Sequence, residues 1–97
     1  MTNAEIIYGE IIANGIMTEE ELENYLVEHM DIPPYKTFAE WKYLGYKIKK
    51  GSKAVIKTKL WKRVSTKEEK DNEVSIIKKF ILVNASLFSL DQVEKIA

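Results

Sequence analysis

The sequence predicts an α+β fold: a small antiparallel three-stranded sheet packed against helices. Three observations carry this. Apolar residues recur at helical spacing as far as Leu44 and at strand spacing from Tyr46 to Val83. Three capping boxes, Thr18 with Glu21, Thr37 with Glu40 and Ser89 with Gln92, mark helix starts. Glycines and prolines stand where one periodicity gives way to the other. The order read from these features is α-α-α-β-β-β-α.

The first helix is expected over 4–14, "AEIIYGEIIAN", with Ile7, Tyr8, Ile11 and Ile12 on one face and Gly15 as its stop. The second follows Thr18 in "MTEEELENYLVEH". Met17 can pack on Leu22 across the cap, Tyr25, Leu26 and Met30 continue that side, and Glu19, Glu20 and Glu21 sit where the helix dipole favours negative charge. "DIPPYK" ends the helical region, because consecutive prolines cannot extend a helix. A short third helix from Thr37 sets Phe38, Trp41 and Leu44 on one apolar stripe, with Phe38 and Trp41 read as core or helix-on-sheet packing, and Gly45 closes it.

Strand alternation then begins. "YKIKK" is the first strand and Gly51-Ser52 its turn; "AVIKTKLWKRV" is the second. Ile56, Thr58 and Leu60 share one face of the second strand, and Lys57, Lys59, Trp61 and Arg63 share the other. Residues 65–73, "STKEEKDNE", read as a long polar turn. The third strand, 74–83, sets Ile76, Lys78, Phe80 and Leu82 against Ile77, Lys79, Ile81 and Val83. A closing helix after Ser89 is expected to turn Leu90, Val93 and Ile96 inward.

A chain of 97 residues is expected to form a single domain over 1–97, with an acidic helical region at 1–35 and the helix, basic hairpin, third strand and closing helix at 36–97. Without cysteine it has no disulfide, thiolate nucleophile or cysteine zinc site. No apolar run reaches the roughly 18 residues of a membrane span, and "MTNAEII" lacks the basic start of a secretion signal. A cytoplasmic protein without a membrane partner is the expectation.

Net charge is zero, yet the charges are sorted along the chain. Residues 1–35 sum to −8, residues 36–63 to +9 and residues 64–97 to −1. Lys47, Lys49, Lys50, Lys53, Lys57, Lys59, Lys62 and Arg63 fall within 17 residues that contain no acid. Such a stretch in a two-stranded ribbon would neutralise phosphates, with Trp61 and Tyr46 stacking on unpaired bases. A solvated lysine face that guards strand edges is the plainer reading of the same residues. Trp61 decides between them according to whether it is exposed or sealed beneath a helix.

Catalysis is not expected. His29 is the only histidine and suits the carboxyl end of the second helix. No metalloprotease motif, His/Cys cluster or glycine-rich phosphate loop occurs. The carboxylates at 19, 20, 21, 23 and 28 are spread around a helix rather than converging on a cation. Neither a metal nor a cofactor is expected.

The segment "TFAEWKYLGYKIKKGSKAVIKT", with Leu44-Gly45, Ile48-Lys49-Lys50-Gly51, Lys53 and the strand holding Val55 and Ile56, resembles the amino-terminal, single-stranded-DNA-binding domain of ArdC-type antirestriction proteins of plasmids and phages. "FILVNASLFSLDQVE", with Phe88 and Gln92, is similar to a later block of the same family. The resemblance covers residues 37–60 and 80–94. It implies a sequence-nonspecific DNA-binding module, with Lys49, Lys50 and Lys53 on phosphates and Gly45 and Gly51 shaping two turns. The family's metallopeptidase-like part has no counterpart in these residues. The acidic first 35 residues depart from the pattern and favour an alternative: a mobile-element protein that binds and inhibits a host defence protein through segregated acidic and basic surfaces. Exposed strand edges permit dimerisation without demanding it.

Overall fold

Three helices, two small antiparallel sheets and a 3-10 turn make up the α+β fold in the computed structural model, which describes residues 1–70 and 73–96. Helices α1 (Asn3–Ala13), α2 (Glu19–His29) and α3 (Phe38–Tyr43) each start at a threonine whose side chain accepts from the backbone N–H three residues on, while the glutamate there accepts the threonine's own N–H. The Thr18 and Thr37 caps fall where the sequence places them; the third, Thr2 with Glu5, starts α1 one residue earlier than expected. Strand β1 (Tyr46–Ile48) pairs with β4 (Val93–Lys95), and β2 (Ile56–Lys70) pairs with β3 (Glu73–Leu87).

The sheet is therefore not the expected single three-stranded one. Tyr46, Lys47 and Ile48 lie opposite Lys95, Glu94 and Val93 rather than alongside β2. Gly51, at φ 84°, turns the chain after β1, and the residues up to Val55 lead into a separate ladder instead of folding back as a hairpin. The closing helix is likewise replaced. Only one 3-10 turn, Leu90–Gln92, follows Ser89, and Val93 then enters β4. Val93 is buried as expected, whereas Leu90 and Ile96 are exposed.

The polar stretch 65–73 is not a loop. Its residues up to Lys70 continue β2, Glu73 begins β3, and residues 71–72 of the expected turn lie outside the described residues. Fifteen residues of strand span about 50 Å, and the molecule's longest extent is 55 Å. The radius of gyration is 17.0 Å, against about 12.5 Å for a compact chain of this length. The ribbon β2–β3 projects as an arm.

Among the described residues, the packed part of that arm is its base. Ile56, Leu60, Ala85 and Leu87 lie on one face and are buried against Ile7 and Ile11 of α1 and Leu22 of α2. Tyr8, Ile12, Met17 and Tyr35 pack at the margin of this core. In α3 a single side chain is buried: Trp41 is 2% exposed, its indole N–H donates to the Phe88 carbonyl at 2.9 Å, and Tyr46 meets it edge-on at 5.4 Å. Phe38 is 56% exposed and Leu44 is exposed too, so of that apolar stripe only Trp41 is buried. A six-residue helix has too little length for all three side chains to reach one core. Met30 also departs from expectation: it takes the left-handed conformation that ends α2 and is largely exposed.

Leu87→Ala should lower stability by about 2–5 kcal/mol because it empties part of this core, whereas Phe38→Ala should stay within about 0.5 kcal/mol. Urea unfolding followed by circular dichroism measures both.

Candidate functional site

Strand geometry sorts the arm into two faces. Residues directly opposite in an antiparallel pair point the same way, so Lys57, Lys59, Trp61, Arg63, Ser65 and Lys67 share an outer face with Ser86, Asn84, Leu82, Phe80, Lys78 and Ile76. The inner face at the base is the one covered by the acidic helices. The outer face carries no helix there, and an open hollow of ≈ 630 Å³ lies over Lys57, Lys59, Asn84 and Ser86. Trp61 is 40% exposed in the middle of this row. Phe80, 66% exposed and one pair along on β3, stands diagonal to Trp61, at a spacing of about 7–8 Å.

Trp61 is held from the side by a contact the sequence reading missed. Its N–H donates to Asn3 Oδ1 at 2.7 Å, and its carbonyl accepts from Asn3 Nδ2 at 3.0 Å. The asparagine amide thus imitates a neighbouring strand and closes the free edge of β2 at this residue. No periodic pattern signals such a contact, because one side chain substitutes for a whole strand.

The predicted site residues divide between the two sheets. Lys57, Lys59, Trp61 and Arg63 form the outer row. Lys62 is on the inner face, at the rim of a groove of ≈ 430 Å³ that Asn3, Thr37, Ala39 and Glu40 also line. Tyr46, Lys47, Lys49, Lys50 and Lys53 belong to the β1 region, away from the ribbon ladder. There Lys47 pairs with Glu94 at 3.3 Å, and Lys49 Nζ donates to the Asp91 carbonyl at 3.0 Å. Lys50 and Lys53 are exposed beside Gly51. Gly45 and Gly51 do shape turns, at φ 89° and 84°. Tyr46 is committed to Trp41. Lys67, Lys78 and Phe80 join the outer row although the sequence reading left them out of the site; the ladder's register reveals them.

Among the described residues no carboxylate forms an ion pair with the outer row. Lys47–Glu94 is the one ion pair of a lysine or arginine with a carboxylate among the described residues, and it lies on the other sheet. The carboxylates of α2 are exposed on a helix packed behind the ribbon's base rather than folded over its lysines. His29 stacks on Tyr25 with ring centroids 4.0 Å apart. Among the described residues no group of three or more histidine, aspartate or glutamate side chains is gathered as a metal site. No helix among them is long and apolar enough to cross a membrane.

The Ser89 hydroxyl donates to the Asp91 carboxylate, which holds that carboxyl below its ordinary range; the nearby Lys49 acts in the same direction. No family model matches this chain, and neither curated proteins nor solved structures include a match to it.

A depressed carboxyl pKa stabilises the fold above its unfolded value, and that contribution disappears as pH falls through the folded value. Ser89→Ala should therefore raise the Asp91 midpoint toward the ordinary carboxylate range in an NMR titration. Asn3→Ala should cost about 1–3 kcal/mol and speed hydrogen exchange at the Trp61 amide more than at amides of the β2–β3 ladder.

Proposed function

We propose that the protein binds single-stranded nucleic acid, without sequence preference, along the outer face of the β2–β3 arm. The observation that carries this reading is the placement of Trp61 between Lys59 and Arg63 on a face from which the acidic helices are excluded. Lys57, Lys59, Arg63, Lys67 and Lys78 supply five positive charges on that face. From residue 57 to 67 the row runs about 33 Å. Lysine and arginine bind backbone phosphates and release counterions, a mode of recognition that carries no sequence information.

Stacking supplies the remainder. Trp61 offers an indole to an unpaired base, and Phe80 offers a second ring diagonal to it. Every base has a π-face, so this platform tolerates any sequence. A duplex keeps its bases stacked on one another and would leave both rings without partners, which is why the reading specifies single strands. Tyr46 and the lysines of the β1 region take no part in this reading. It agrees with the resemblance to the ArdC-type DNA-binding domain in kind of ligand, and it differs in placing the contact on the arm.

Five phosphate contacts on a single strand correspond to a slope of about −3.5 in log K against log salt. Replacing Lys59 and Arg63 together by glutamine should reduce the slope by about 1.4 and weaken all oligonucleotide sequences alike. Trp61→Ala should remove about 1–3 kcal/mol of affinity. Trp61 fluorescence, read over the constant background of buried Trp41, follows the titration. Affinity that is independent of salt, or equal affinity for duplex and single strand, would refute the reading.

A further inference from the structure

The distal arm carries more apolar surface than a nucleic-acid ligand requires, and nearly all of it is on β3. Val74, Ile76, Ile77, Phe80, Ile81 and Leu82 are all exposed, with Ile76 at 62%. An isolated two-stranded hairpin is marginal in water; a third strand or a packed face is ordinarily needed. Among the described residues no third strand or packed face covers the arm beyond Trp61, since the core ends at its base.

The free edge of β3 is ready for pairing. Trp61 directs its N–H and carbonyl away from β3, toward Asn3, so its ladder partner Leu82 directs its own away from β2. Phe88 follows the same parity and exchanges both main-chain bonds with Lys36, at 3.1 and 2.8 Å. Val74, Ile76, Lys78, Phe80 and Leu82 therefore turn their main-chain groups outward. The outer edge of β2 differs in kind. It is closed at Trp61 by Asn3, and beyond it Arg63, Ser65 and Lys67 make it a charged, polar edge of the sort that resists pairing.

We propose that two copies of this chain join through their β3 edges as a two-fold antiparallel dimer. Charge selects the register. Pairing centred on Lys78 or Lys79 would set lysine against lysine, which is destabilising. Pairing centred on Ile76 sets Glu73 opposite the partner's Lys79 and Lys79 opposite the partner's Glu73, with Ile76 against the partner's Ile76. It is the one register of correct parity that matches Glu73 with a lysine of β3. The product is a four-stranded sheet with β2 at both margins. Its charged margins stop further addition of strands, so the assembly closes as a dimer instead of growing into a fibre. Both outer faces lie on the same side of that sheet. The dimer does not depend on nucleic-acid binding and is tested without it.

Sedimentation equilibrium of the full chain should give twice the 11.3 kDa monomer mass. Lys79→Glu should weaken the dimer at least about tenfold, and adding Glu73→Lys should restore it, since the opposite-charge pair occurs twice in the dimer and becomes repulsive in the single variant. Because the protein has no cysteine, Ile76→Cys introduces a unique thiol. A short bifunctional maleimide should link it to the partner's copy in high yield, whereas Arg63→Cys on the opposite edge should stay unlinked. Lys78→Pro, which loses only an outward N–H, should give a folded monomer by circular dichroism and sedimentation. A wild-type monomer at sub-millimolar concentration would overturn the proposal. So would a dimer that is indifferent to Lys79→Glu and fails to link through position 76.

Discussion

One packing contact organises the molecule: α1 and α2 seat Ile7, Ile11 and Leu22 on Ile56, Leu60, Ala85 and Leu87. These four strand residues occupy the same face of the arm, and only at its base. Everything else follows from that choice of face. The helices bring the chain's acidic first third to the inner side, and the lysines that alternate with the buried residues are turned to the other. A strand period of two thus converts a segregation along the sequence into a segregation in space.

The same contact sets where support ends. The burial that stabilises the fold is exhausted near Leu60, and the Asn3 amide fixes the next residue by its main chain. Beyond that point the ladder depends on its own hydrogen bonds. The outer portion of the arm contributes surface rather than core. A small protein that extends a long ribbon past its core retains apolar side chains such as Phe80 and Ile76 in water. Under ordinary folding energetics that is costly unless something covers them.

Local chemistry was legible in the sequence to the extent that it was local. The Thr18 and Thr37 caps, the glycine turns and the division of β2 into an apolar and a basic face were readable because each is decided within a few residues. Pairing was not. β1 and β4 are three residues each, too short for alternation to specify a partner, and β1 joins a segment more than forty residues away. The stretch "STKEEKDNE" reads as a loop because its polarity suits one, but its residues up to Lys70 continue β2, and a strand carried past the core needs no apolar alternation. Phe38 and Trp41 share a helical stripe, and only the length of α3 and the Phe88 carbonyl decide that Trp41 alone is buried. The candidate site was half legible for the same reason: Lys57, Lys59, Trp61 and Arg63 are neighbours in sequence, while Phe80 and Lys78 enter through register.

The arrangement of charge also bears on how the molecule meets other molecules. Residues 57–63 at the base of the arm carry four cations and no carboxylate, and residues 1–35 carry eight carboxylates and no lysine or arginine, so charge is separated locally despite the zero net charge. A polyanion would repel the acidic helices and attract the lysine row over a Debye length of about 8 Å at physiological ionic strength. The torque such a field exerts would favour approach with the lysine row, rather than the acidic helices, toward the polyanion. Orientation, usually found by trial during repeated collisions, would then be biased before contact.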